Sequence, residues 1–378
     1  MSIYQYSFPT LIHFGPGTRK KVASHLMENR VRRPLVVTDR GVSAQPFFLD
    51  FLKELRASGL EAQDYSEVYG NPVKSQVTQG VASYRAHHAD GIVGIGGGAA
   101  LDVAKAIALM IHHPGDLFDY EDGKLNGLPI EREIPHWVAL PTTAGTGSEV
   151  GRSAVISDVH THIKKIIFSP RLLAKAVFAD PEMTIGLPAK ITAETGMDAL
   201  THCVESYLAK GYHPICDGIA LEGVRLAARS LARAVHAPAN LEARSDMMMS
   251  SMMGAVAFQK GLGLTHSCAH ALSTVTDMHH GLANGLMIDH ALAFNVTAVP
   301  ERFSVLAQTV GLKRELDFIP WLRNLKAEIG VPDRLSTLKV DRESLEELSE
   351  IADRDGCHAN NPRVCTREDF RRIFHEAF

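Results

Sequence analysis

The feature that most limits the fold is a change of pattern near residue 181. Before it, short apolar runs alternate with helical spacing; from Gly186-Leu-Pro188 onward no convincing strand pattern recurs. In the first half Pro34-Leu-Val-Val-Thr-Asp39, Gly91-Ile-Val-Gly-Ile95 and His136-Trp-Val-Ala-Leu140 read as buried strands. Strands covered on both faces appear as continuous apolar runs rather than as alternation. Residues 46–60 carry Phe47, Phe48, Phe51, Leu52 and Leu55 at helical spacing, and residues 99–112 are also helical in pattern. Strands separated by helices imply βαβ units and a mainly parallel sheet. The second half reads as helices over 193–208, 217–234, 241–259, 263–276, 283–294, 301–310 and 319–329, with two more near the C-terminus. The expected architecture is an α/β domain over residues 1–185 and an all-helical domain over 186–378, joined near 181–188.

Composition removes several function classes. With 45% hydrophobic and 22% charged residues the chain is an ordinary globular sequence, and its net charge of −4 argues against nucleic acid or an anionic membrane as main partner. No apolar run is long enough for a membrane span, and no secretory signal is visible at the N-terminus. The five cysteines, Cys203, Cys216, Cys268, Cys357 and Cys365, are odd in number and contain no Cys-x-x-Cys pair, so neither a disulfide framework nor a zinc ribbon is expected. Cys203 and Cys268 read as small apolar fillers. A reducing cytoplasm is the expected compartment.

Two glycine-rich turns carry the first chemistry. Gly94-Ile-Gly-Gly-Gly-Ala-Ala-Leu-Asp-Val-Ala-Lys105 follows a strand and opens a helix. Adjacent glycines let backbone approach a ligand closely, and a helix N-terminus offers unpaired N–H groups; both favour phosphate. Pro141-Thr-Thr-Ala-Gly-Thr-Gly-Ser-Glu149 follows the strand His136–Leu140 and supplies glycines and hydroxyls for the same pyrophosphate. Asp39 closes an earlier strand. An acidic side chain there accepts from a ribose 2′-hydroxyl and repels a 2′-phosphate, which favours NAD over NADP. The acid precedes the glycine loop, unlike the usual Rossmann order, so a related but differently wired nucleotide fold is expected. Capping of the following helix is the competing role for Asp39.

The second chemistry lies in two helical segments of the second half. Gly196-Met-Asp-Ala-Leu-Thr-His-Cys-Val-Glu-Ser-Tyr207 holds Asp198 and His202 four apart; the stretch from Gly261 to Gly285 holds His266 and His270 four apart, then His279 and His280. Residues four apart share a helical face. The surroundings are Gly, Ala, Leu and Val, so these imidazoles are expected to be buried and to need partners. Asp198, His202, His266 and His280 together make a one-carboxylate, three-imidazole set that suits Fe²⁺, Zn²⁺ or a neighbouring metal.

These motifs resemble the iron-containing (group III) alcohol dehydrogenases, over nearly the whole chain. The matching stretches are Phe14-Gly-Pro-Gly17, Gly96-Gly-Gly-x-x-x-Asp-x-Ala-Lys105, Pro141-Thr-Thr-x-Gly-Thr-Gly-Ser-Glu149, Gly196-Met-Asp-Ala-Leu-Thr-His202 and His266-x₃-His270-x₉-His280-Gly. The resemblance implies a dehydroquinate-synthase-like fold, an N-terminal NAD-binding domain, a helical metal- and substrate-binding domain and a divalent ion in the cleft between them, iron first and zinc as the alternative. It implies metal ligands Asp198, His202, His266 and His280, with His270 near substrate and nicotinamide. It implies cofactor contacts at Asp39, Gly96, Gly97, Gly98, Asp102, Thr142, Thr143 and Lys164. A homo-oligomer, expected as a dimer, goes with it.

The chain departs from the family pattern in three places. Ala99 replaces the usual Ser after the glycines, and His279 replaces the usual Pro before the last ligand, where the spacing from His266 favours His280. Arg152 and Lys260 are cationic where many members are neutral. The stretches Arg32–Asp39, Asp217–Leu221, Ala257–Gly263 and His279–Gly281 are most similar to the 4-hydroxybutyrate dehydrogenase branch. The expected activity is therefore hydride transfer between NAD(H) and a primary alcohol/aldehyde pair. A divalent ion acts as Lewis acid toward the alcohol oxygen, and His270 relays the proton. Arg152 and Lys260, taken as unpaired cations, point to an anionic substrate such as a short ω-hydroxy acid. The alternatives are a general primary-alcohol, diol or polyol dehydrogenase, a cyclising lyase on the same scaffold, and a catalytically silent nucleotide-binding protein.

Overall fold

The computed structural model describes residues 8, 10–161 and 163–378. The chain divides into two compact units. One runs to Thr143 and resumes over Ser148–Thr184; the other comprises Ala144–Gly147 and Ile185–Phe378.

The first unit is built on strands β1 (Leu11–Phe14), β2 (Pro34–Asp39), β3 (Gln63–Val68), β4 (Gly91–Gly96), β5 (His136–Pro141) and β8 (Ala176–Ala179), with an antiparallel hairpin β6 (Ser153–Ser157) and β7 (Lys164–Phe168) inserted before β8. The sheet order is β1-β8-β5-β4-β2-β3, and every neighbouring pair is parallel. Helices α1 (Val22–Glu28), α2 (Arg40–Ser43), α3 (Pro46–Ala57), α4 (Lys74–Ala86) and α5 (Gly98–His112) fill the connections. Side chains alternate across a strand. Val36, Val93, Ile95, Val138, Leu140 and Phe178 therefore share one core with Val22 and Leu26 of α1 and Phe48, Phe51 and Leu55 of α3. The Phe14-Gly-Pro-Gly17 turn is held by Asp180, which accepts from Gly17 N at 3.1 Å and from the Arg19 guanidinium at 2.8 Å. The short strands β1, β6 and β7 were not legible as strands in the sequence.

A histidine pair lies across the start of β5. His25 Nε2 and His136 Nε2 stand 3.1 Å apart, so only one proton can sit between them. Burial, then His25 and Lys175, push the His136 pKa down to about 4; burial, then His13, lower that of His25, against Glu28. The unfolded chain binds these protons near pH 6.5, before the folded one does. Stability from this pair is thus full above about pH 6.5 and is lost as pH falls toward 4. His136→Gln should remove this acid-limb loss, about 1–2 kcal/mol for partly exposed groups, read as a smaller fall in melting temperature between pH 7 and 4.5 than in the wild type.

The second unit contains α6 (Ala189–Leu208), α7 (Pro214–His236), α8 (Leu241–Ala257), α9 (Leu264–Thr276), α10 (His280–Asn295), α11 (Pro300–Thr309), α12 (Phe318–Glu328), α13 (Leu345–Arg354) and α14 (Arg367–Ala377). Helix α6 is buried throughout Thr192–Leu208. Met197, Leu200, Val204 and Leu208 on it pack with Leu231, Met247, Ile288 and Leu292, each such side chain contributing about 1.5–3 kcal/mol when fully buried. The close approach of α10 to α6 requires glycine at 281, where a Cβ would lie 2.4 Å from the Glu194 carbonyl oxygen. Among the described residues no helix is long and apolar enough to cross a membrane.

Candidate active site

Because α6 is buried along its length, its polar side chains must find partners inside the unit. Asp198, His202 and Glu205 stand at i, i+4 and i+7 of one face. Asp198 and His202 meet His266 of α9 and His280, the first residue of α10, and one ligand atom from each lies within 4.8 Å of all the others. The His202 and His266 rings stack at 4.6 Å between centroids, and His280 Nε2 is 3.5 Å from Asp198 Oδ1.

The donor set fits a divalent ion. Among the described residues, His202 Nδ1 and His266 Nε2 are buried and have no hydrogen-bond partner, a costly arrangement unless something else fills their lone pairs. Burial, opposed by Asp198, holds the His202 pKa down to about 4, so its imidazole is neutral, the form a metal requires. Glu205 fixes the tautomer of His266. Its Oε2 is 2.7 Å from His266 Nδ1, and a carboxylate only accepts, so Nδ1 carries the proton and Nε2 is left with its lone pair. Glu205 also accepts from the Gly263 and Thr265 amides at 2.9 and 2.6 Å. Burial works to raise its pKa, but the His266 and Thr265 hydrogen bonds outweigh it and hold the carboxyl below its ordinary value. Asn284, one turn after His280, donates Nδ2–H to Asp198 Oδ1 at 2.7 Å. Neither Glu205 nor Asn284 was singled out from sequence, although both repeat the helical spacing of a ligand.

His270 lies one turn beyond His266 on α9 and outside the four-residue set. Its ring stacks on His280 at 5.3 Å, and its Nδ1 donates to Asp355 Oδ2 at 2.8 Å. Asp355 is the orienting carboxylate, held well below the usual range: burial opposes this, and the hydrogen bonds from His270, Cys357 and Ser267 overcome it. Its distance in the chain hid it from sequence reasoning. His279 turns elsewhere: its Nδ1 is 3.2 Å from Glu194 Oε2 and its side chain is 47% exposed, so His280, not His279, completes the donor set.

In the first unit the glycine loop runs from the end of β4 into α5, with Gly97 as N-cap and no acidic residue in the first turn. Gly96 has φ +152°, and a Cβ there would come 2.7 Å from Ala100 Cβ and 3.0 Å from Asp39 Oδ2. Asp39 therefore stands beside the glycines while its Oδ1 caps α2 through Val42 N at 2.9 Å. It performs the capping role and leaves its second oxygen facing the loop. Thr142 N donates to Gly96 O at 3.0 Å, and a Cβ on Gly97 would meet the Thr143 side chain at 3.3 Å, so the two phosphate-type loops adjoin. Glycines, a helix N-terminus and an acidic strand end in one place fit a dinucleotide.

Asp102 and Lys260 both have partners inside their own units. Asp102 has both oxygens engaged within the unit: Oδ1 accepts from Ser148 Oγ at 2.6 Å and from Lys105, and Oδ2 from Val155 N at 3.0 Å. It braces the second loop and the hairpin. Lys260 is not an unpaired cation. It is buried, pairs with Asp217 and donates to Tyr207 O at 3.0 Å, and Arg302 shares the same carboxylate. The Arg152 guanidinium lies 5.2 Å from the Phe168 ring centroid, with no carboxylate within ion-pair distance among the described residues. Lys164 begins β7, opposite Ser157.

A helical unit with a buried carboxylate–imidazole donor set and a parallel-sheet unit with adjoining glycine loops define a metal-dependent, nucleotide-linked enzyme. Comparison with known proteins makes this specific. Residues 9–181 match the model of the iron-containing alcohol dehydrogenases, and residues 192–378 match that of the Fe-containing alcohol dehydrogenase family C-terminal region. The 4-hydroxybutyrate dehydrogenase of Cupriavidus necator is 35% identical, over 97% of this chain and 98% of its own. A solved 1,3-propanediol oxidoreductase is 35% identical with TM-score 0.95 and complete coverage of both chains. The sulfoacetaldehyde reductase of Bifidobacterium kashiwanohense, solved with NAD⁺, is 29% identical with TM-score 0.91, over 100% of this chain and 99% of its own. The chain belongs to the iron-containing alcohol dehydrogenase family and is an NAD-dependent, metal-dependent oxidoreductase.

Proposed function

We propose that the chain interconverts a short ω-hydroxy acid, such as 4-hydroxybutyrate, and its aldehyde, with NAD(H). Asp198, His202, His266 and His280 are the residues that would hold the ion, iron first and zinc as the alternative. A divalent ion there supplies Lewis-acid polarisation of the substrate oxygen, and NAD supplies the hydride acceptor. Gly96, Gly97, Gly98, Thr142 and Thr143 cradle the pyrophosphate, and Asp39 takes the ribose hydroxyls. Lys164 completes the cofactor contacts. Asp355 orients His270, whose Nε2 takes the hydroxyl proton and passes it to solvent. The buried nitrogens of His202 and His266 that have no partner among the described residues argue against a silent nucleotide-binding protein.

The observation that carries the acid substrate is Arg152, a cation over Phe168 without a carboxylate partner among the described residues. Arginine suits two-point capture of a carboxylate. The relative named for 4-hydroxybutyrate supports this reading, and the relative named for 1,3-propanediol supports the general diol alternative. The test compares kcat/KM for 4-hydroxybutyrate, 1,3-propanediol and 1-butanol in wild type and Arg152→Ala. The acid should lose about 1.5–3 kcal/mol, the range for a charged hydrogen bond, while both neutral substrates stay nearly level. Equal losses on all three, or wild-type preference for a neutral alcohol, would leave a general alcohol or diol dehydrogenase.

Asp39→Gly should relax the preference for NAD toward NADP, because it removes both the ribose acceptor and the repulsion of a 2′-phosphate. The ratio of kcat/KM for the two cofactors measures this, and a wild type that already prefers NADP would refute the assignment. The cysteines are all free thiols, which supports a reducing cytoplasm. Among the described residues β1 is an edge strand with Leu11 and Phe14 exposed, which supports a homodimer, read directly by light scattering.

A further inference from the structure

Cys203, Cys216, Cys268 and Cys365 are buried, whereas Cys357 is only partly so. Cys357 opens a 3-10 turn, Cys357–Asn360, two residues after Asp355. His270, Asp355 and Cys357 offer one nitrogen, one oxygen and one sulfur donor, all within 4.8 Å of one another, and none of the three is fully buried. Asp355 is fixed from one side: its Oδ1 accepts from Ser267 Oγ at 2.7 Å and from the Cys357 amide at 2.8 Å, while Oδ2 accepts from His270 Nδ1 at 2.8 Å. Around a tetrahedral ion with ligands at roughly 2.0–2.3 Å, donors sit about 3.3–3.7 Å apart. Admitting an ion thus requires opening the Asp355–His270 contact by under about 1 Å, with Asp355 still anchored through Oδ1.

We propose that His270, Asp355 and Cys357 form a second cation site, distinct from the Asp198, His202, His266 and His280 set, that takes a thiophilic divalent ion such as Zn²⁺ and inhibits the enzyme when filled. A mixed nitrogen, oxygen and sulfur set suits zinc, cobalt or cadmium and suits the harder magnesium or calcium poorly. Binding moves the His270 proton from Nδ1 to Nε2 and releases the Cys357 thiol proton to solvent, and water completes the coordination. Burial and then Asp355 push the Cys357 thiol well above its ordinary pKa. The ion must displace that proton and bind beside an already charged centre, so this site fills second. Inhibition rests on the reading of His270 as the proton relay: with Nδ1 on the ion and a proton on Nε2, the ring can no longer accept.

The probe is Co²⁺, added to protein already carrying one equivalent of divalent ion per chain. Thiolate ligation gives a near-ultraviolet sulfur-to-cobalt charge-transfer band, which the nitrogen and oxygen donors of the first site cannot produce. The band should saturate with the second equivalent in wild type and be absent in Cys357→Ala. His270→Ala should bind the second equivalent at least roughly tenfold more weakly. Excess Zn²⁺ should lower wild-type turnover, and the same inhibition of Cys357→Ala should need at least roughly tenfold more of it. No band, or a band that persists in Cys357→Ala, overturns the site. A band without loss of turnover overturns the inhibitory role. A wild type inactive on every alcohol refutes the proposed function instead, and the band still reports on the site.

Discussion

His266→Ala or His280→Ala lowers turnover by more than about 100-fold, beyond the 10–100-fold that losing an outer partner of a metal site costs. Each change removes one of four convergent donors, and the remaining three cannot regroup: Asp198 and His202 are fixed on buried α6, and His266 and His280 come from two further helices. The protein should still fold. An alanine at 266 frees the Glu205 carboxylate from one partner but leaves its bonds to the Gly263 and Thr265 amides. Melting temperature without added metal should therefore change far less than activity. Asp198→Asn should weaken binding less, since its amide oxygen still coordinates.

Glu205→Gln is the second large effect, expected as a 10–100-fold loss of metal affinity with a parallel loss of activity. The glutamate accepts from every neighbour: the His266 ring through Oε2, and the amides of Gly263, Thr265 and His266. A glutamine must turn its NH₂ toward one of these donors, so at least one contact becomes donor against donor. The charge that makes His266 a better ligand also disappears. Competition with a chelator of known affinity measures the loss. Metal affinity equal to wild type would mean that Glu205 only supports the fold.

The site was legible where its residues share a helical face. Asp198 with His202, and His266 with His270, stand four apart, and their setting among Gly, Ala and Leu marks them as buried. Glu205 and Asn284 carried the same signal, seven residues after Asp198 and four after His280, and were overlooked because a single polar residue on such a face has many uses. Asp355 gave no local sign: it reaches His270 across 85 positions of chain, which only the packed α9 and α13 bring together. Lys260 misled for the same reason, since Asp217, far from it in sequence, neutralises it. In the fold, β2, β4 and β5 were plain because both faces are covered. The hairpin β6–β7 was hidden because its strands are short and half exposed.

The measurement closest to the central claim is elemental analysis of purified wild type and the double variant His266→Ala/His280→Ala, each paired with NADH-linked oxidation of a primary alcohol before and after adding Fe²⁺ or Zn²⁺. The wild type should carry a tightly bound divalent ion, lose activity with it on chelation and regain both on addition. The double variant should carry little or none and stay inactive with either metal present. A double variant that is fully metallated, or that oxidises alcohols at the wild-type rate, would contradict the assignment of Asp198, His202, His266 and His280 as the catalytic metal centre.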